Sequence, residues 1–301
     1  MDKFEAMAIF IEVVDKGSMS GAARKLNMPL PTLSRKLGEL EADLGTKLLL
    51  RTTRRLELTD AGADYFQASK RIMEQVSEAD RAAAGEYVKP KGELMIAGSL
   101  AFGRIHLLPV ITAYLAQHPD VDVRLALSDS RHDVIAEHID VAVRIGRLAN
   151  NNLKATKIGD IRWVVVASPS FLDAYGTPAT PDDLATRPCI GVDHNNLSTS
   201  WNFRFPGFST TQGVAVRSRL APSSAEAAVD AAIAGVGLTQ VLHYQAAKAI
   251  AAGELRVVLA DYEAEALPLS LVYAAQGMLP LKTRSFLDFA APRLRQSIRF
   301  D

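Results

Sequence analysis

The 301-residue chain has a single cysteine, Cys189, so no disulfide can form within it and a reducing compartment is expected. No uninterrupted apolar run approaches the roughly 18–20 residues that span a bilayer, and no membrane partner is expected. The opening residues, MDKFEAMAIF, are acidic and amphipathic. They lack the basic stretch and apolar run of a secretory signal, so a cytoplasmic location is expected. Catalytic signatures are missing too. The six histidines, at 106, 118, 132, 138, 194 and 243, show no HExxH or paired ligand spacing, and no GxSxG is present. GSLAFG, residues 98–103, is not a GxGxxG, and Arg104-Ile105 stand where a phosphate loop needs Lys and Ser or Thr. No enzyme, metal or cofactor is therefore expected. The chain also lacks internal repeats, low-complexity tracts and net charge, with 34 basic and 34 acidic residues.

That neutrality hides an asymmetry. Between residues 16 and 55 nine basic residues face three acidic ones, a local charge of +6. Lys16, Arg24, Lys25, Arg35, Lys36, Lys47, Arg51, Arg54 and Arg55 oppose Glu39, Glu41 and Asp43. This is the electrostatic footprint of a DNA-binding module, although a solvated charged face has the same composition.

The periodicity of the same region predicts three helices and a hairpin. Phe4, Met7, Ala8, Ile11 and Val14 recur at helical spacing up to a stop at Gly17. Ser18 or Ser20 can cap a second short helix whose Gly21, Ala22 and Ala23 permit close packing. Pro29 and Pro31 punctuate the next turn, with Pro31 tolerated in a first helical turn. Leu33, Leu37, Leu40 and Leu44 then form an inward stripe that ends at Gly45. KLLLRTTRRLELT reads as two short strands around a basic turn. A winged helix-turn-helix over residues 1–58 is predicted. Thr59 can cap a long helix through residue 89, where Phe66, Met73 and Val76 recur near heptad spacing. A lone helix of that length is marginal unless something packs on it, which suggests a linker that pairs with a second subunit.

From residue 92 strand and helix patterns alternate, the mark of parallel sheets covered by helices. ELMIAG, VDVRLAL, IDVAVRIG, DIRWVVVAS, TQGVAVRSRL, VGLTQV and LPLSLVYAA read as strands, with a short helix around HDVIAEH. The last strand and the helix after it can rejoin the first lobe. Two lobes with a cleft are predicted, lobe I about 92–161 and 268–301 and lobe II about 162–267. Ligands in such folds sit off the carboxyl ends of strands.

The run GSMSGAARKLNMPLPTLSRKLGELEADLGTKLLLRTTRRLELTDAG closely resembles the DNA-binding domain of LysR-type transcriptional regulators. The match rests on Gly17-Ser18, Ala22-Ala23, Leu26, Ser34-Arg35, Leu40-Glu41, Leu44-Gly45, Arg51 and Leu58-Thr59-Asp60-Ala61-Gly62. IDVAVRIG, VVVASPSFLDAYGTP and AAIAGVGL resemble the family's effector-binding domain. Three departures stand out: Pro29-Leu30 where many relatives carry Ser-Gln, Leu49 where Phe is common, and Gln240 where an apolar pair and Pro usually follow GVGLT. The first bears on base preference and the third on the cleft.

The resemblance implies an α+β multidomain protein: a winged helix-turn-helix, a linker helix over 59–89, and a two-lobed α/β domain like periplasmic binding proteins over 92–301. It also implies double-stranded promoter DNA, a small-molecule co-inducer and further copies of the chain as partners, as dimers paired into tetramers, with RNA polymerase a further candidate. A two-lobed solute-binding protein is the alternative, disfavoured by the basic module and the missing export signal.

Candidate site residues follow. With the leucines inward, Thr32, Arg35, Lys36 and Glu39 fall outward, and the N-terminal residues of such a helix, Pro31 and Thr32 included, reach base edges. Arg35 suits a bidentate contact to guanine and Thr32 a base or thymine methyl. Ser18, Ser20 and Ser34 suit phosphate oxygens. Arg51, Thr52, Thr53, Arg54 and Arg55 form a basic wing that can follow the backbone or enter a minor groove, although an ordinary basic loop competes.

For the effector, Ser99, Leu100, Ala101 and Phe102 open a helix after a strand, a ready anion site or a plain cap. Ser128, Ser130, Arg144 and Gly146 lie at other strand ends. Ser223 and Ser224 open a helix, and Ser223 with Glu226 has capping-box spacing. Trp201 and Phe203 offer an apolar wall or simply core, and Thr239 completes the set.

Overall fold

Asp2 starts the first helix, α1 (Lys3–Asp15), by accepting from the N–H groups of Phe4 at 2.9 Å and Glu5 at 3.4 Å. This computed structural model describes residues 2–51, 56–83, 89–129, 134, 138–148, 153–192, 198–208, 210–274 and 279–298. Two units make up the chain, Met1–Lys89 and Pro90–Asp301.

In the first unit Gly17 turns the chain at φ +60°, and Ser18 caps α2 (Met19–Lys25) by accepting from the Gly21 N–H at 3.0 Å. The third helix, α3 (Leu30–Leu44), has Pro31 in its first turn and ends on Gly45 in the left-handed conformation. Leu33, Leu37 and Leu40 are fully buried against Ile9, Phe10 and Val13 of α1 and Ala22 and Ala23 of α2. The wing is an antiparallel pair, β1 (Leu49–Arg51) and β2 (Leu56–Leu58). The long helix α4 (Asp60–Ala83) follows, with Phe66 edge-on to Phe10 at 6.3 Å.

The second unit holds two sheets. The first has strand order β4-β3-β5-β13-β6, built from β3 (Gly92–Gly98), β4 (Val121–Leu127), β5 (Val141–Ile145), β6 (Leu153–Ile161) and β13 (Leu267–Ala274). Between β3 and β4 runs one continuous helix: α5 (Leu100–Phe102), a wider π segment (Gly103–Leu107) and α6 (Leu108–Gln117). The C-terminal α10 (Leu281–Ser297) packs on α6 and β6.

The second sheet runs β12-β7-β11-β8-β10-β9. Its strands are β7 (Trp163–Ala167), β8 (Cys189–Ile190), β9 (Ser198–Phe203), β10 (Gln212–Leu220), β11 (Leu238–Leu242) and β12 (Arg256–Val258). The helices α7 (Pro169–Tyr175), α8 (Ala225–Ile233) and α9 (His243–Ala251) connect and cover it.

Three details differ from the sequence expectation. Both sheets are mixed. The returning strand β13 runs antiparallel to β5 and β6, and β7 runs antiparallel to β11 and β12. A strand that crosses between lobes arrives from the far side and must enter against its neighbours. Secondly, DIRWVVVAS is two strands: Ile161 pairs with Leu267 in the first sheet and Trp163 with Leu242 in the second, so the chain changes lobe at Arg162. Thirdly, Ser224, not Ser223, caps α8, accepting from the Ala227 N–H at 3.3 Å, while Ser223 is exposed. The helix expected around HDVIAEH falls largely outside the described residues.

Candidate functional sites

The outward face of α3 is set by its helical period. Arg35 sits opposite the leucine stripe, its side chain 63% exposed, and forms an ion pair with Glu39 one turn on. Thr32 and Ser34 are half-buried on the two flanks, and Pro31 is exposed at the tip. Lys36 corrects the sequence expectation. It lies three residues after Leu33 and four before Leu40, so it shares the edge of the buried stripe and pairs with Glu5 of α1. Its ammonium is directed to the first helix. Ser18 serves as a cap and Ser20 is exposed on α2. Thr52, Thr53, Arg54, Arg55 and the side chain of Arg51 lie outside the described residues.

Glu41 joins α3 to the wing, a role the sequence did not announce. Its residue is only 3% exposed, and its carboxylate accepts from Lys47 Nζ at 2.7 Å and the N–H groups of Leu48 at 3.0 Å and Leu49 at 3.2 Å. Burial alone raises its pKa, but these donors outweigh it and hold the carboxyl below the ordinary range. The wing is pinned from its other end by Thr59, whose hydroxyl donates to the Lys47 carbonyl at 2.7 Å and accepts from the Gly62 N–H at 2.9 Å. A groove of about 450 Å³ runs between α3 and the wing, lined by Ser34, Gly38, Lys47 and Leu50 among others.

In the second unit Ser99, Ser128 and Gly146 follow the carboxyl ends of β3, β4 and β5. Gly146 adopts φ +101° and donates its N–H to the Pro268 carbonyl at 2.8 Å, turning the chain beside the second crossing. At the start of α5, where an anion site was expected, Asp129 accepts from the Leu100 N–H at 3.0 Å. Asp129, between the two serines singled out in the sequence, is the residue that reaches. Ser130 lies outside the described residues.

Several residues expected at the effector site are buried in the core. Ala101 and Phe102 are buried in the core of the first sheet. Trp201 and Phe203, 5% and 1% exposed, fall on the inward positions of edge strand β9 and pack with Phe171, Leu172 and Cys189. Thr239 is fully buried and donates to the Ile190 carbonyl at 3.1 Å, while Arg144 lies half-buried opposite Ser270.

The structure brings Tyr244 to the junction of the lobes. Its ring meets Phe102 at 5.5 Å and His106 at 5.6 Å, and its hydroxyl lies near Ser99, Gln245 and Asp129. Burial, with smaller contributions from Asp129 and Glu226, pushes its pKa up to about 12, so it stays a neutral hydroxyl. Tyr244 lines a small cavity of about 160 Å³ with Arg162, His243 and Ile298. A separate cleft of about 380 Å³ is lined from the first lobe by Arg147, from the second by Trp163, Asn202 and Thr211, and from the crossing by Glu265 and Pro268. Neither Tyr244 nor Trp163 carried a sequence signal, because each is one aromatic in an ordinary strand or helix pattern.

Comparison with known proteins agrees with this architecture. Residues 4–63 match the bacterial regulatory helix-turn-helix protein, lysR family, and residues 89–295 match the LysR substrate binding domain. An HTH-type transcriptional regulator of Xanthomonas campestris pv. campestris is 34% identical over 291 residues, covering 95% of this chain and 84% of the relative. The solved structure of CrgA, a LysR-type transcriptional regulator from Neisseria meningitidis, superposes with a TM-score of 0.61 at 29% identity, over 96% of this chain and 98% of that one. The full-length virulence activator AphB of Vibrio cholerae gives 0.60 at 25% identity, with the same coverage. With a basic helix-turn-helix and wing joined to a two-lobed domain, and both parts matched in order, the chain belongs to the LysR-type transcriptional regulators.

Proposed function

We propose that the protein binds promoter DNA as a homo-oligomer paired through α4, and that a small-molecule effector in the cleft between the two lobes modulates this binding or the bend it imposes. The observation that carries the DNA half is the exposed Arg35 on the outward face of α3, within a module of local charge +6. The cleft of about 380 Å³ supports the effector half, because it is lined from both lobes and from the crossing between them. A ligand there moves the equilibrium only by its difference in affinity between open and closed lobes. Dimer symmetry matches a pseudo-palindromic operator.

The test is binding of the full-length protein to its upstream intergenic DNA, followed by fluorescence anisotropy across a salt series. Affinity should fall steeply with salt, and Arg35→Ala should weaken specific binding about tenfold or more, as loss of one bidentate base contact requires. Salt-independent binding, or none, removes the DNA assignment. A metabolite screen by thermal shift should find a compound whose effect is lost in Arg147→Ala or Asn202→Ala, both in the lining of that cleft. A full response in both variants moves the effector elsewhere.

A further inference from the structure

The large side chains of α3 divide sharply. Leu33, Leu37 and Leu40 are fully buried, whereas Leu30, the first residue of the helix, is 42% exposed and belongs to no core cluster. Its neighbours Pro29 and Pro31 are exposed as well. This helix end also lacks the polar dressing of α1 and α2. Asp2 and Ser18 cap α1 and α2 with side-chain oxygens, but Pro29 offers no side-chain cap and Pro31 has no N–H to donate. The tip of α3 therefore presents hydrocarbon where a helix N-terminus usually presents donors.

The surroundings select the occupant. Arg35 is exposed one helical turn beyond Pro31, and Arg24 and Lys25 are exposed at the end of α2. A hydrocarbon tip ringed by cations complements a surface that is anionic at its borders and carries isolated methyl groups within. The major groove of DNA is such a surface, and the 5-methyl of thymine is the apolar group its base edges expose there. Resting on the DNA-binding function proposed above, we infer that Leu30, stiffened by the prolines on either side, is a specificity-determining residue that reads a thymine methyl beneath the start of α3. An amide at this position would instead pair with adenine. The choice of leucine exchanges a hydrogen-bonded preference for an apolar one.

The methyl can be removed without altering base pairing. Full-length protein is used to select sites from a random duplex library, and each thymine of the selected duplex is then replaced by uracil, one at a time. At one position in each half-site the substitution should raise Kd about threefold to fivefold, the effect of one buried methyl group. Replacing that pair so that 5-methylcytosine stands in for thymine should bind better than cytosine. Leu30→Ala, at an exposed position, should unfold in denaturant at the same concentration as the native chain and lose the uracil effect. Leu30→Gln should select adenine there. Equal binding of uracil and thymine duplexes at every position overturns the assignment, as does a Leu30→Ala variant that remains as sensitive to uracil as the native chain. A selection that enriches a site without methyl dependence removes Leu30 alone. No enrichment and no salt-dependent binding removes the DNA-binding reading with it.

Discussion

Glu41 shows how much one side chain can hold. Its carboxylate satisfies two backbone N–H groups at the root of the wing, and Glu41→Ala leaves both without a partner, costing about 2–4 kcal/mol. Denaturant unfolding of the full chain measures this; a loss below about 1 kcal/mol would show that water replaces the carboxylate. Because the folded-state pKa lies below the ordinary value of 4.5, its contribution is complete above that pH and disappears as pH falls through the folded-state value. The Glu41→Gln variant should therefore lose less stability between pH 6 and pH 3 than the native chain.

Gly62 is equally constrained. A Cβ there would stand 2.0 Å from the Leu48 carbonyl oxygen, which is backbone and cannot swing aside. Gly62→Ala should cost about 2 kcal/mol or more and loosen the wing, and unchanged unfolding would contradict the close approach. The Leu58-Thr59-Asp60-Ala61-Gly62 run was conspicuous in the sequence. Its physical reason, one threonine hydroxyl joining Lys47 to Gly62, needed residues twelve positions apart to meet.

At the scale of elements, helices were the easiest to see, since caps, glycine stops and leucine spacing are local signals. The end of α1, the start of α2 and both ends of α3 agree with Gly17, Ser18, Pro31 and Gly45, while the Asp2 cap of α1 was seen only in the structure. Where a helix turns its edges was harder. The leucine stripe put Lys36 on the outward side, yet it lies at the edge of that stripe and pairs with Glu5.

Gly38 is the weak link of α3: a mid-helix glycine at which a Cβ would meet open space. Gly38→Ala should stabilise the chain by about 0.5–1 kcal/mol, read by chemical denaturation. The added methyl also narrows the groove between α3 and the wing. Higher stability with weaker operator binding is expected, and unaltered affinity would mean that no DNA backbone enters that groove. Strands were less legible. Leu153–Ile161 alternates too little to stand out, and its pairing with β13 comes from more than a hundred residues away.

At the scale of the whole chain, Cys189 is a built-in reporter of the second lobe. It is fully buried, and burial pushes its thiol pKa up to about 12. At pH 8 an aromatic disulfide reagent should leave it unmodified in the native protein and react once denaturant opens the lobe. Rapid labelling without denaturant would contradict that burial.

Charge distribution and local periodicity were enough for the basic helix-turn-helix and the alternating lobes, because each rests on neighbours within a few turns of chain. The family came from the resemblance of the motif run between Gly17 and Gly62. The cleft was decided by packing. Trp201, Phe203 and Thr239 turned inward on their strands, Asp129 reached the start of α5, and Tyr244 came to the junction from the second lobe. Which face of a strand is buried, and which distant residue completes a site, depends on register and crossing order, and a period-two or period-3.6 pattern cannot carry that information.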